Sequence, residues 1–109
     1  MLSQTEIIHD EQLYAELWVS LASLLRSYTA AHGLQDNRQA AIAAGEEVIT
    51  ARQGEKWLRL ERDAAILTWT RENRSCGKME FTQAGTLRDG MNEEQMDLAA
   101  EAWARELMQ

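Results

Sequence analysis

Two histidines, one cysteine and two adjacent glutamate pairs are the groups with which this sequence could bind a metal or carry out nucleophilic or acid–base chemistry. His9 and His32 stand 23 residues apart, and neither has a cysteine or a second histidine at ligand spacing. A zinc site draws on three or four protein ligands, so no bound metal is expected. His32 has a plainer role as a base in the last turn of a helix, where it complements the helix dipole. Cys76 lies in Asn-Arg-Ser-Cys-Gly between Arg74 and Lys78, cations that would favour a reactive thiolate. A cysteine nucleophile also needs a positioned base, and no histidine is close in sequence. Glu46-Glu47 and Glu93-Glu94 are read on helices, where neighbours diverge by about 100° and share no site. Gly85-Thr-Leu-Arg-Asp-Gly90 lacks the Lys-Ser/Thr pair and the spacing of a phosphate loop. The expectation is therefore a non-enzyme: no catalytic residues, no cofactor and no bound metal.

The elements that would position any site are read from periodicity. Ser3 and Glu6 form a capping box and Leu2 and Ile7 a hydrophobic staple. Tyr14, Leu17, Trp18, Leu21, Leu24, Leu25 and Tyr28 then recur at helical spacing, which predicts a helix over residues 4–32. Gly33 is its expected left-handed stop, with Leu34 making the accompanying apolar contact. Such a helix would span roughly 43 Å at about 1.5 Å per residue. A compact domain of this size is only about 34 Å across. The helix must therefore break near His9–Glu11, or project and pack on a second subunit. Asp36 and Gln39 suggest the start of a second helix over 37–53, with Ala41, Gly45 and Val48 on one face, Ile42 and Ile49 beside it, and Gly54 as its end. The two would form an αα-hairpin.

The middle of the chain alternates. Strands are expected at 56–61, 64–71 and 77–83, with a short fourth at 86–88, separated by turn residues. Asn92 and Gln95 read as a capping box, Met91 and Met96 as a staple, and Met96, Ala99, Ala100, Trp103 and Leu107 as the buried stripe of a helix over 93–108. The predicted fold is one α+β domain over 1–109. It has an N-terminal αα-hairpin, a three- to four-stranded antiparallel meander, and a C-terminal helix packed on the sheet.

Composition narrows the function class. The net charge is −7. Residues 1–55 carry eight acids and three bases, residues 56–90 five acids and seven bases, and residues 91–109 five acids and one base. Arg59, Arg62, Arg71, Arg74 and Lys78 are interleaved with acids, which predicts pairing locally or with the acidic helices rather than a phosphate-binding track. An acidic total argues against nucleic acid and anionic membrane as partners. No 18-residue apolar run is present, and Leu2–Ile8 has neither the basic nor the apolar region of a signal peptide. A single cysteine excludes an intrachain disulfide and favours a reducing, cytoplasmic location.

The best candidate surface is the sheet. If Leu58, Leu60, Leu67, Trp69, Met79 and Phe81 face the helices, alternation turns Trp57, Arg59, Ile66, Thr68 and Thr70 to the other side, with Lys78 and Glu80 beside them. Apolar residues among Arg and Thr suit a protein partner. The expectation is thus a non-enzymatic interaction or regulatory module, self-associating as a homodimer, that uses Trp57, Arg59, Ile66, Thr68 and Thr70. One alternative is a small-molecule pocket between sheet and helices lined by Trp18, Trp69, Met79 and Trp103, with Tyr14 and Tyr28 as polar contacts. The other is an acidic mimic of nucleic acid.

Overall fold

The computed structural model describes residues 2–34 and 37–109, with side chains from residue 10 onward. A long helix α1 (Leu2–Gly33) leads into seven strands: β1 (Ala41–Ala44), β2 (Val48–Gln53), β3 (Lys56–Asp63), β4 (Ile66–Arg71), β5 (Cys76–Phe81), β6 (Thr86–Asp89) and β7 (Asn92–Gln95). Helix α2 (Met96–Met108) follows. The strands form one sheet in chain order, with every neighbouring pair antiparallel.

The α+β class holds, but the sheet has seven strands where three to four are predicted. The segment read as a second helix, 37–53, forms β1 and β2 instead, so there is no αα-hairpin. The helical face read there centres on the small Ala41 and Gly45 with Val48, and only Ile42 and Ile49 beside it add large apolar side chains. As a strand, the same segment buries Ile49 and Ala51 almost completely, at a period of two. Gly45 interrupts any helix there. Its N–H donates to the Val48 carbonyl at 2.8 Å, and its carbonyl accepts from the Trp18 indole Nε1 at 2.8 Å. Gly54 does not end a helix. With φ of +64° it takes the first position of the two-residue β2–β3 loop, where glycine is favoured. The expected cap Asp36 lies outside the described residues, as do the side chains of Leu2, Ser3, Glu6 and Ile7.

Helix α1 is continuous through His9–Glu11. At about 1.5 Å per residue its 32 residues span about 48 Å, which fits only along the 54 Å axis of a molecule 54 × 23 × 21 Å in extent. Gly33 is the last helical residue and is not left-handed. It is small for a different reason: the chain turns back onto it. A Cβ there would overlap the Arg38 carbonyl oxygen and come within 3.0 Å of Met108 Cε. Leu34, 79% exposed, makes no capping contact.

Helix α2 starts at Met96, not at residue 93. Asn92–Gln95, read as a helical cap, is the edge strand β7, reached through a loop that Gly90 opens at φ of +62°. Gln95 is the N-cap residue and its side chain makes no capping hydrogen bond. Met91 is fully exposed at the loop tip, so the expected staple is not formed. The buried stripe of α2 otherwise follows the sequence reading, with Ala99, Ala100, Trp103 and Leu107 inside and Met96 packed at their margin.

One core joins all the layers. Trp18, Leu21 and Leu25 of α1 and Trp103 and Leu107 of α2 pack with Ile49, Leu58, Leu60, Leu67, Phe81 and Leu87 of the sheet. Each large side chain so buried contributes about 1.5–3 kcal/mol. Both helices therefore lie on the same face of the sheet.

Candidate interaction surface

Alternation turns the opposite face of the sheet away from this core. The strand registers set out its rows. Ala41, Arg52 and Trp57 form one row, and Ala43, Thr50, Arg59, Thr70 and Cys76 the next. Val48, Glu61, Thr68 and Lys78 follow, then Asp63, Ile66, Glu80, Arg88 and Glu93. All five residues singled out from sequence stand on this face. Arg59 and Thr70 are direct cross-strand partners, with Thr68 in the next row, so these three come together.

Trp57 and Ile66 do not join them in one apolar patch. Trp57 is the second residue of β3, whereas Ile66 pairs with Asp63 at the far end of that strand. Six residues at about 3.3 Å each place them about 20 Å apart. Ile66 is 38% exposed and Trp57 half-buried. The Trp57 backbone N–H donates to the Glu72 carboxylate at 3.0 Å. On the open face Trp57 borders a hollow of about 440 Å³, shared with Ala41, Ala43, Thr50, Arg52 and Arg59.

Arg52, Thr50, Ala41 and Ala43 also belong to this surface, and a helical reading of 37–53 hides them. The signal present was the β-branched run Val48-Ile49-Thr50 ahead of the Gly54 turn.

Of the five cations singled out in the middle segment, Arg59, Arg62 and Arg71 form ion pairs, and among the described residues Arg74 and Lys78 form none. Arg59 meets Glu61 at 3.0 Å and Arg88 meets Glu80 at 2.7 Å on the open face. Arg62 reaches Glu11 at 3.2 Å and Arg71 reaches Glu106 at 2.7 Å, each tying the sheet to a helix. Arg62 is nine-tenths buried by side chain, and its Nε has no hydrogen-bond partner among the described residues. Its row position opposite Leu67 puts it on the helix side.

The other chemical candidates are dispersed. His32 Nε2 and Glu101 Oε1 lie 3.1 Å apart and link the two helices, and the His9 side chain lies outside the described residues. Cys76 is exposed at the start of β5, opposite Thr70. Glu46-Glu47 sits in the β1–β2 loop and Glu93-Glu94 on β7, so neither pair is helical. Among the described residues no three histidines, cysteines or carboxylates gather as a metal site.

The aromatics proposed to line a single pocket are divided. Trp18 borders a hollow of about 560 Å³ beside α1, while Trp69, Met79 and Trp103 border another of about 240 Å³ near α2. Tyr14 stacks on Phe81, with ring centroids 6.5 Å apart and 15° between planes. No described helix is long and apolar enough to cross a membrane. Comparison with protein-family models, with curated proteins and with solved structures found no match to this chain.

Proposed function

We propose that this protein is a non-enzymatic interaction or regulatory module that acts as a homodimer and offers the open face of its sheet to a partner protein. The observation that carries this reading is the stacking of both helices on one face. Among the described residues, no helix or further layer then covers the other face of the seven-stranded sheet. A sheet needs cover on one face only to hold its core, and antiparallel sheets tolerate water on the other. This open face nonetheless carries an indole, an isoleucine, threonines and arginines, the mixture that suits a protein contact.

The test is co-purification and crosslinking of the tagged chain in cells of its source, comparing wild type with Thr70→Arg, Thr68→Arg and Ile66→Glu. A stoichiometric partner lost in the three variants, with their thermal melts unchanged, is the expected result. Retention of every partner by all three variants would sink the reading.

A further inference from the structure

The two edges of the sheet are built differently. β7 reads Asn-Glu-Glu-Gln and is exposed throughout, so this edge strand carries two carboxylates, one on each face. Charge on an edge strand is a standard guard against pairing with another chain. β1 reads Ala-Ile-Ala-Ala, with no charge and no proline, in unbroken register with β2 over four pairs. Three of its four residues are exposed, and among the described residues no strand pairs on its outer side. Its outward N–H and C=O groups form an unguarded template for another strand.

The charges around β1 are polarised along it. Residues 1–55 hold three bases, Arg26, Arg38 and Arg52. Arg38 precedes the strand, and Arg52 is the cross-strand partner of Ala41, so the Ala41 end is basic. At the other end, the loop following Ala44 carries Glu46 and Glu47, both exposed. Among the described residues no carboxylate lies within ion-pair distance of Arg38 or Arg52, or of Glu46 or Glu47 any base.

We infer that β1 pairs antiparallel with β1 of a second copy, joining two sheets edge to edge about a two-fold axis; this rests on the dimeric module proposed above and names its self-association surface. Antiparallel pairing lays Ala41 of one copy beside Ala44 of the other. The Arg38–Arg52 end of each copy then meets the Glu46–Glu47 loop of its partner, twice by symmetry. A two-fold axis normal to the sheet keeps the helices of both copies on the same side. It brings each α1 toward the other across the hollow that Ala15, Val19 and Ala22 share with Ala44. Val19, 64% exposed, then gains cover. The joined sheet has only its two β7 edges facing outward, and those are the edges that carry carboxylates.

The experiment is sedimentation equilibrium of the full chain, with concentration-dependent amide exchange and a charge-swap pair. Wild type is expected at twice 12.4 kDa at micromolar concentration. Protection of the Ala41–Ala44 amides should be lost on dilution. Arg38→Glu should weaken dimerisation at least tenfold, and Arg38→Glu with Glu47→Arg should restore it. A monomer at all concentrations overturns the inference. So does dilution-sensitive protection confined to Ile66–Thr70, or a double variant no better than the single. A monomeric chain that still binds its partner through Thr68 and Thr70 would overturn this edge pairing, and the homodimer with it, and leave the open-face reading standing.

Discussion

The indole of Trp69 lies directly over Gly77, its cross-strand partner on the helix side of the sheet. A Cβ built at Gly77 would come within 2.6 Å of Trp69 Cζ2 and 2.8 Å of its Nε1. The Arg71 guanidinium covers the same ring, 4.8 Å from its centroid, and continues to Glu106 on α2. Glycine in a strand interior normally weakens it. Here its missing side chain is the space in which the indole rests.

Gly77→Ala should therefore destabilise the protein by about 1–3 kcal/mol, the usual cost of forcing an extra carbon into a packed site. Urea unfolding followed by circular dichroism measures it. In the Trp69→Leu background the same substitution should cost much less, because the ring it strikes is gone. Equal costs in the two backgrounds would show that the contact is not the cause.

Ala64 opens the β3–β4 loop at φ of +53°, a left-handed conformation in which its Cβ is strained. The Arg62 Nη1 donates to its carbonyl at 3.0 Å and helps hold it there. Ala64→Gly relieves about 1 kcal/mol of strain and gives back part of that in unfolded-state entropy. The expected net gain is about 0.5 kcal/mol, read as a rise of a few degrees in Tm. A fall in Tm would contradict the strained loop.

Trp18 is buried, and its N–H is the one bond from α1 to the β1–β2 loop among the described hydrogen bonds. Trp18→Phe removes the donor and leaves the Gly45 carbonyl without it, at a cost of about 1–3 kcal/mol. Amide exchange at Gly45 and Val48 should quicken more than exchange in β4. Uniform quickening across the sheet would mean that the indole acts through the core alone.

Leu21 is fully buried between helix and sheet, whereas Val19 stands exposed two residues earlier. Leu21→Glu puts a carboxylate into the core and should abolish cooperative unfolding, whatever the state of association. Leu24 also packs against the core, so Leu24→Glu likewise probes folding and not dimerisation. Val19→Glu should leave the monomer's stability within about 0.5 kcal/mol of wild type. A well-folded Leu21→Glu variant would place the core elsewhere.

Much of the architecture is legible in the chain because local period and burial coincide. Trp18, Leu21, Leu25 and Tyr28 recur at helical spacing and line α1. Leu58 with Leu60, and Ala99, Ala100, Trp103 and Leu107, mark β3 and α2 in the same way. Alternation alone was enough to assign Trp57, Arg59, Ile66, Thr68 and Thr70 to the face away from the core. It could not tell that Trp57 and Ile66 stand at opposite ends of a hairpin, since that depends on register.

Tertiary structure decided the rest. Ala41–Ala44 suits a helix as well as a strand by local preference, and its small side chains give neither state much to bury. It is a strand because Ile49 and Ala51 gain a place opposite Leu60 and Leu58, and β1 then pairs on β2. Asn92–Gln95 carries the polar signature of a helix start, yet Gly90 reverses the chain and β6 offers a ladder. Where local period and burial coincide, as in α1, β3 and α2, the sequence by itself determined which residues face inward; for Ile49 and Ala51 it did not. Only the packing of both helices on one side decided what faces outward: an open sheet face, a guarded β7 edge and an unguarded β1. Sheet edges and layer order arise from contacts between residues far apart in the chain, and no local pattern records them.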